Sequence, residues 1–237
     1  GSFEIGNAIA EGAAKMTGTE VSRRIIGTAA PRHFNRPMAE AAYANIKAVG
    51  LPRWTAGEQA FAKLVQKNVN AEKQAGLATE LSTLDAPLAE PKSGGSDDIG
   101  DVSWIAPTIT IGYPANIPEL PGHHWSNAIA MATPIAHKGV VAGAKVVAMT
   151  ALDLLTDAKL RQAARDYFTN VQTREQKYEP MITATDQPAT EINADVMARF
   201  KQELSRYYYD PSRYPTYLDQ LGIKFPMLEP AAAQGER

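Results

Sequence analysis

Cysteine is absent from this chain of 237 residues. That absence excludes disulfides, thiolate zinc sites and a cysteine nucleophile in one step. The sequence also contains no glycine-rich phosphate loop, no GxSxG and no HExxH. No run of about 20 apolar residues is present, and the first residues lack the basic-then-apolar pattern of a signal peptide. We therefore expect no membrane-spanning segment.

Charge of one sign is also scarce. The chain has 24 basic and 26 acidic residues, for a formal net charge of −2. No strong field therefore draws it toward nucleic acid or an anionic membrane, and we expect small molecules or other proteins as partners. Hydrophobic residues make up 44% of the chain, enough for a substantial core. The composition leaves the compartment open between cytoplasm and periplasm.

Helical periodicity is present in several stretches. Ile5, Ile9, Ala13 and Met16 predict a first helix within residues 4–17, which Gly18 ends. Thr55 with Glu58 three residues later is typical of a capping box. The further predicted helices cover residues 37–49, 55–69, 135–155 and 157–169. On the longest of them, the predicted apolar face consists of Val140, Ala144, Val147, Ala151 and Leu154.

Two stretches predict β-strands. Residues 21–26 alternate after a turn, and residues 101–113 alternate isoleucine with threonine, although Pro107 limits the second strand to an edge or a bulge. Helices together with strands predict an α/β fold. Residues 70–96 and 114–126 are predicted loops, and the tail beyond residue 171 is predicted to be partly extended and partly amphipathic, ending in a disordered terminus.

The stretch Gly94–Trp125 concentrates the unusual residues. It contains two of the four histidines, His123 and His124, after an acidic turn with Asp97, Asp98 and Asp101. Adjacent histidines point apart, so one metal takes at most one of them, and neutral imidazole suits zinc, manganese or nickel. Ordinary surface or hydrogen-bonding histidines fit the same pattern, and the aspartates fit caps as well as metal-supporting roles.

A second polar cluster lies at Arg32, His33, Asn35 and Arg36. A guanidinium fork in such a cluster is suited to hold a carboxylate. A solvated loop explains the same residues.

Several stretches in order resemble one family. They read IAEGAAKMTGTEV, NRPMAEAAYANIKAVG, GSDDIGDVSWIAPTITI, PGHHW and IAHKGVVAGAKVVAMTALDLL. Together they resemble the C-terminal half of the aminobenzoyl-glutamate hydrolase-type amidohydrolases, within the larger family of two-metal aminoacylases and carboxypeptidases. The resemblance covers most of residues 4–170.

The resemblance implies an architecture. Residues 1–34 would be the end of a small lid domain of the dimerisation type, and residues 35–170 the C-terminal part of a zinc-peptidase-like α/β catalytic domain. Residues 171–237 would form a C-terminal tail. The family implies a homo-oligomer formed through the lid.

The resemblance also implies site residues. In this family a two-metal centre, usually of zinc, activates water to cleave an amide bond. His123 matches the histidine of a His-Ser-Trp motif, with register fixed by Trp125, and would be a metal ligand. Asp98, Asp101 and His124 would be supporting residues, and Asn35 would contact the substrate. Asp97 and His124 depart from the family's pattern, since they stand where it has threonine and serine.

One departure concerns the rest of the metal centre. The family's other ligands and its glutamate base lie in its N-terminal half, and this chain contains neither His-x-Asp nor Glu-Glu. The resemblance therefore implies a piece of a longer enzyme that is inactive alone and completed by that N-terminal half. The alternatives are a non-catalytic subunit or interaction module on the same scaffold, and a stand-alone small-molecule binding domain.

Overall fold

The computed structural model describes residues 2–86 and 97–223, and the regular structure within them is helical. The helices are α1 (Ser2–Thr17), α2 (Arg36–Val49), α3 (Ala56–Asn68), α4 (Ile99–Ile105), α5 (Trp125–Met131), α6 (Pro134–Thr156), α7 (Ala158–Tyr167), α8 (Ala194–Leu204) and α9 (Tyr217–Gln220). A π-helical turn, Phe168–Gln172, continues α7, and a 3-10 turn, Ser205–Tyr207, continues α8. The expected disorder at the C-terminus falls outside the described residues.

The predicted α/β fold is wrong for the part of the chain that is described. Residues 21–26 are irregular, and the predicted strand 101–113 begins inside α4 and continues without regular structure. A strand needs a neighbouring strand for its backbone groups, and in this region one backbone bond joins the two extended segments, from Asn35 N to Thr108 O at 2.9 Å. Alternation therefore recorded extended chain here and not a sheet.

Local helix signals were reliable. Thr55 accepts a hydrogen bond from Glu58 N, and the Glu58 carboxylate in turn accepts one from Thr55 N, so the capping box is confirmed. Asn35 caps α2 by accepting from Met38 N, and Gly50 ends that helix with a φ of 72°. The two helices begin and end within one residue of their predicted bounds.

The core lies beside α3, α5 and the start of α6. Its buried side chains are Phe61, Ala62, Val65, Leu77, Ile117, Ala130 and Ile135, with Trp54 and Leu120 packed against them. Longer-range packing runs along α6, which contacts α2, α5 and α7. Between α2 and α6, Asn45 Nδ2 donates to Thr150 Oγ1 at 3.2 Å and to Asp153 Oδ2 at 2.7 Å.

Helix α6 buries a different face from the predicted one. Its buried residues are Ile135, Ala136, Gly139, Ala142, Val146 and Thr150. The predicted face is largely exposed, with Val140 and Val147 more than half accessible. Both sides of the helix are therefore apolar, and this is why periodicity selected the wrong one.

The same helix meets the length and composition of a membrane span, contrary to the expectation from the sequence. Its 23 residues include a window with a mean hydropathy of 1.5. Core helices of soluble proteins reach the same values.

Candidate functional site

The loop of residues 112–124 delivers the two adjacent histidines, and it is held at both ends. Gln66, fully buried on α3, donates to Pro118 O at 3.0 Å. Ile117 is buried in the core. Asn127 on α5 donates to Pro121 O at 2.6 Å. The ends are fixed, so the position of the histidines is set by the core.

Close packing fixes the start of the same loop. A Cβ atom at Gly139 would lie 2.1 Å from Pro114 O and 2.5 Å from the Ala115 Cα, and one at Gly143 would lie 3.2 Å from the Tyr113 Cβ. The glycines of α6 thus allow the loop to lie directly on the helix, as their spacing predicted. The segment they touch is extended chain and not the strand that we expected.

His124 is the N-cap of α5. Its Nδ1 accepts from Ser126 N at 3.4 Å and lies 2.8 Å from Ser126 Oγ. Its ring also lies 5.0 Å from the Trp125 ring, centroid to centroid. A histidine that caps a helix in this way orients the residues on both sides of it, and a supporting role in chemistry stays a prediction.

His123 carries an exposed imidazole. The side chain makes no hydrogen bond or ion pair with any residue that the structure describes. Its backbone has a φ of 53°, in the left-handed region that non-glycine residues seldom adopt. The loop therefore presents the ring nitrogens of His123 to its surroundings.

The acidic turn belongs to another contact. Asp101 accepts from Ala30 N at 3.1 Å and from the Tyr178 hydroxyl at 2.7 Å. Asp97 caps Ile99 N and forms an ion pair with Arg32 at 3.2 Å. These bonds tie α4 to residues 30–32 and to the tail.

Asp98 lies at the N-cap position of α4 without a side-chain cap bond. Among residues 2–86 and 97–223 there is no group of three His, Cys, Asp or Glu side chains that could hold a metal ion. His123, Asp98 and Asp101 therefore do not form such a group with one another.

Asn35 is fully buried, and its side chain is occupied within the protein. Its Oδ1 accepts from Met38 N, and its Nδ2 donates to Ala164 O and to Gln172 Oε1, each at 2.9 Å. The Asn35 amide thus joins α2 to the end of α7. Contact with a substrate stays a prediction for this residue.

The neighbouring cluster lines a groove of 1810 Å³ between residues 30–40, α4 and the tail. Arg32 pairs with Asp97, and Arg36 pairs with Glu40 at 2.7 Å, so both guanidinium groups have carboxylates from this chain. His33 packs edge-on against Trp104, with ring centroids 4.3 Å apart. Burial lowers the pKa of His33 below its ordinary value.

Sequence reasoning missed the residues that complete this groove. Gln172 bonds to His33, and Tyr178 bonds to Asp101, although each is more than 70 residues away along the chain. Both lie in a polar stretch without periodicity, and no short-range signal marks them. The π-helical turn that ends at Gln172 is the one local feature of a kind often found at functional sites.

Comparison with curated proteins confirms the resemblance to aminobenzoyl-glutamate hydrolase-type amidohydrolases for part of the chain. The relative is a p-aminobenzoyl-glutamate hydrolase subunit from Escherichia coli (strain K12), 32% identical over 176 residues, which cover 65% of this chain. The chain spans 37% of the length of that relative. No family model matches the sequence, and no solved structure matches it. The chain is thus a partial relative of a hydrolase subunit.

Proposed function

We propose that this chain is the C-terminal portion of a metal-dependent amidohydrolase. The observation that carries the proposal is the exposed imidazole of His123, held on an anchored loop of a chain that is similar to a hydrolase subunit. The reaction would cleave the amide bond of an N-acyl or N-aroyl amino acid, with p-aminobenzoyl-glutamate as the first substrate to test.

The metal fit is incomplete within the described residues. His123 offers one nitrogen ligand, and a catalytic zinc site takes about three ligands from the protein. The described residues do not hold a metal ion by themselves. In this proposal a divalent metal, zinc by the resemblance, has its other ligands on polypeptide that corresponds to the N-terminal half of the enzyme, and the chain alone has little or no activity.

Support for a partner comes from the relative's name, which describes that protein as a subunit. The partner proposed here carries the remaining ligands and a glutamate base. A homo-oligomer through residues 1–34 is a further part of the proposal. Helix α1 supports it, because Phe3, Ile5, Ile9 and Met16 are all exposed.

A second candidate function is a non-catalytic subunit or interaction module. It is favoured by the contacts of His124, Asp101 and Asn35, since all three side chains make bonds within the chain that stabilise its own structure. The two candidates share the scaffold and differ in whether His123 has a chemical role.

The first test reads the coding sequence upstream of Phe3 in the parent gene and in any gene for a co-purifying subunit. The enzyme proposal requires His-x-Asp and paired glutamates there. Their absence from all of these sequences would favour the interaction module.

The second test is substitution in the complete protein. His123→Ala should lower hydrolysis of p-aminobenzoyl-glutamate by at least about 100-fold, because even residues outside the first ligand shell of a metal are worth about 10–100-fold. Glu119→Ala is the matched control, since Glu119 is exposed on the same loop and also has a positive φ, of 62°. Full activity of His123→Ala would refute the assignment.

A further inference from the structure

The exposed side of α6 is apolar along most of the helix. Its side chains have the following exposed fractions: Val140 61%, Val141 55%, Val147 52%, Leu152 59% and Leu155 74%. Exposed alanines, Ala144, Ala148 and Ala151, lie between them. At 100° per residue these eight side chains fall within an arc of about 140°, and they extend over about 22 Å of helix.

Charge is confined to the remainder of the helix. Lys145 lies just outside the arc, Lys138 donates to the Glu58 carboxylate, and Asp153 accepts from Asn45 on the packed side. The one titratable side chain inside the arc is His137, near the first turn. A helix that is apolar on both sides is normally buried on both sides. An exposed patch of this continuity marks an interaction surface.

We infer that this apolar arc is the surface on which the ligand-bearing polypeptide of the proposed enzyme docks, with an uncharged apolar face of its own. The identity of that partner rests on the proposed function. Most of the relative's length lies outside its alignment with this chain, so there is polypeptide of the required kind to cover the arc. The loop that presents His123 lies on the same helix, at Gly139 and Gly143, so docking there brings the partner close to that loop.

Two other occupants fit less well. A lipid bilayer would also have to accept α2, which packs alongside α6 and carries Arg36, Glu40 and Lys47. A second copy of the chain would repeat the same residues and would bring no new kind of ligand to His123. The arc therefore favours a different polypeptide.

The experiment places a photo-crosslinking amino acid at position 147, or at position 145 as the control, in the protein expressed from its own gene in its own cells. Lys145 is exposed on the same helix and points about 160° away from Val147. Peptides joined to position 147 are identified by mass spectrometry. The expected result is a crosslink from position 147, and none from position 145, to sequence outside these 237 residues that carries His-x-Asp or paired glutamates.

Other products would overturn the inference. A crosslink to residues of this chain, to lipid, or to a protein without those motifs, or no crosslink at all, each contradicts it. Val147→Asp should weaken association with the partner by at least about tenfold, because an unpaired carboxylate in an apolar contact is costly, whereas Lys145→Asp should change it by less than about twofold. These readouts do not depend on hydrolysis, so failure of the docking surface is distinguishable from failure of His123 as a ligand.

Discussion

The backbone oxygen of Pro114 lies 2.1 Å from the point that a Cβ atom would occupy at Gly139. A methyl group there forces the loop away from α6, and backbone has little freedom to move. We expect Gly139→Ala to lower the free energy of unfolding by about 1–3 kcal/mol. Gly12→Ala on α1, where no atom lies within 4 Å, should instead raise it by about 0.5–1 kcal/mol. Urea unfolding measures both, and equal effects would contradict the close approach.

The Asn45 amide at the interface of α2 and α6 is nearly fully buried and bonds to Thr150 and Asp153. Asn45→Ala leaves these acceptors without their donor, and we expect a loss of about 1–3 kcal/mol in unfolding free energy. A double-mutant cycle with Asp153→Ala should give a coupling energy clearly above zero. Lys47→Gln on the exposed side of α2 is the control, and a loss as large as that of Asn45→Ala would refute the prediction.

The Glu58 carboxyl is a determinant of acid stability. Burial alone would raise its pKa, but the hydrogen bond from Lys138, the bonds from Thr55 and the Lys138 charge outweigh burial, so the pKa lies below its ordinary value of 4.5. A lowered pKa in the folded state stabilises the protein above the unfolded pKa, and this contribution is lost as the pH falls through the folded pKa. Unfolding free energies of the wild type and Glu58→Gln should therefore differ at about pH 7 and converge in acid. Parallel curves would show that the ion pair contributes nothing.

The Tyr178 hydroxyl predicts the opposite dependence on pH. The hydrogen bond to Asp101, with some desolvation and the Asp101 charge, raises the pKa of Tyr178 above its ordinary value of 10.0. The stabilisation from this bond is present below the unfolded pKa and is lost as the pH rises through the folded pKa. Tyr178→Phe should therefore be less stable than the wild type near neutral pH and equal to it in strong alkali.

Chemical denaturation at both extremes of pH checks this. Tyr207→Phe is the control, since the Tyr207 hydroxyl makes no hydrogen bond within the described residues. A difference between Tyr178→Phe and the wild type that persists unchanged into alkali would contradict the bond to Asp101.

Sequence predicted the elements whose causes are local. The ends of α2 and α3 depend on Asn35, Gly50 and the pair Thr55 and Glu58, and all of these act within one helical turn. The strand at residues 101–113 could not be judged locally, because a strand exists only if a neighbour supplies its hydrogen bonds. The first part of that stretch forms α4 instead, where Ser103 donates to Gly100 O at 2.6 Å.

The candidate site was predicted in part. The motif PGHHW identified the loop, and only the structure distinguishes its two histidines, since His124 caps a helix and His123 has no bond in the described residues. The groove beside His33 depends on Gln172 and Tyr178, whose contacts arise from packing of distant segments. Packing of this kind leaves no spacing in the sequence to read.

The contacts of Asn35 also determine a protonation state. Because its Oδ1 accepts from Met38 N, its Nδ2 faces Ala164 O and Gln172 Oε1, and Gln172 then turns its Nε2 toward His33 Nδ1. An amide nitrogen only donates, so Nδ1 must accept. The neutral imidazole of His33, which burial favours over the charged form, therefore carries its hydrogen on Nε2. The cap of one helix thus selects the tautomer of a histidine on the adjoining loop.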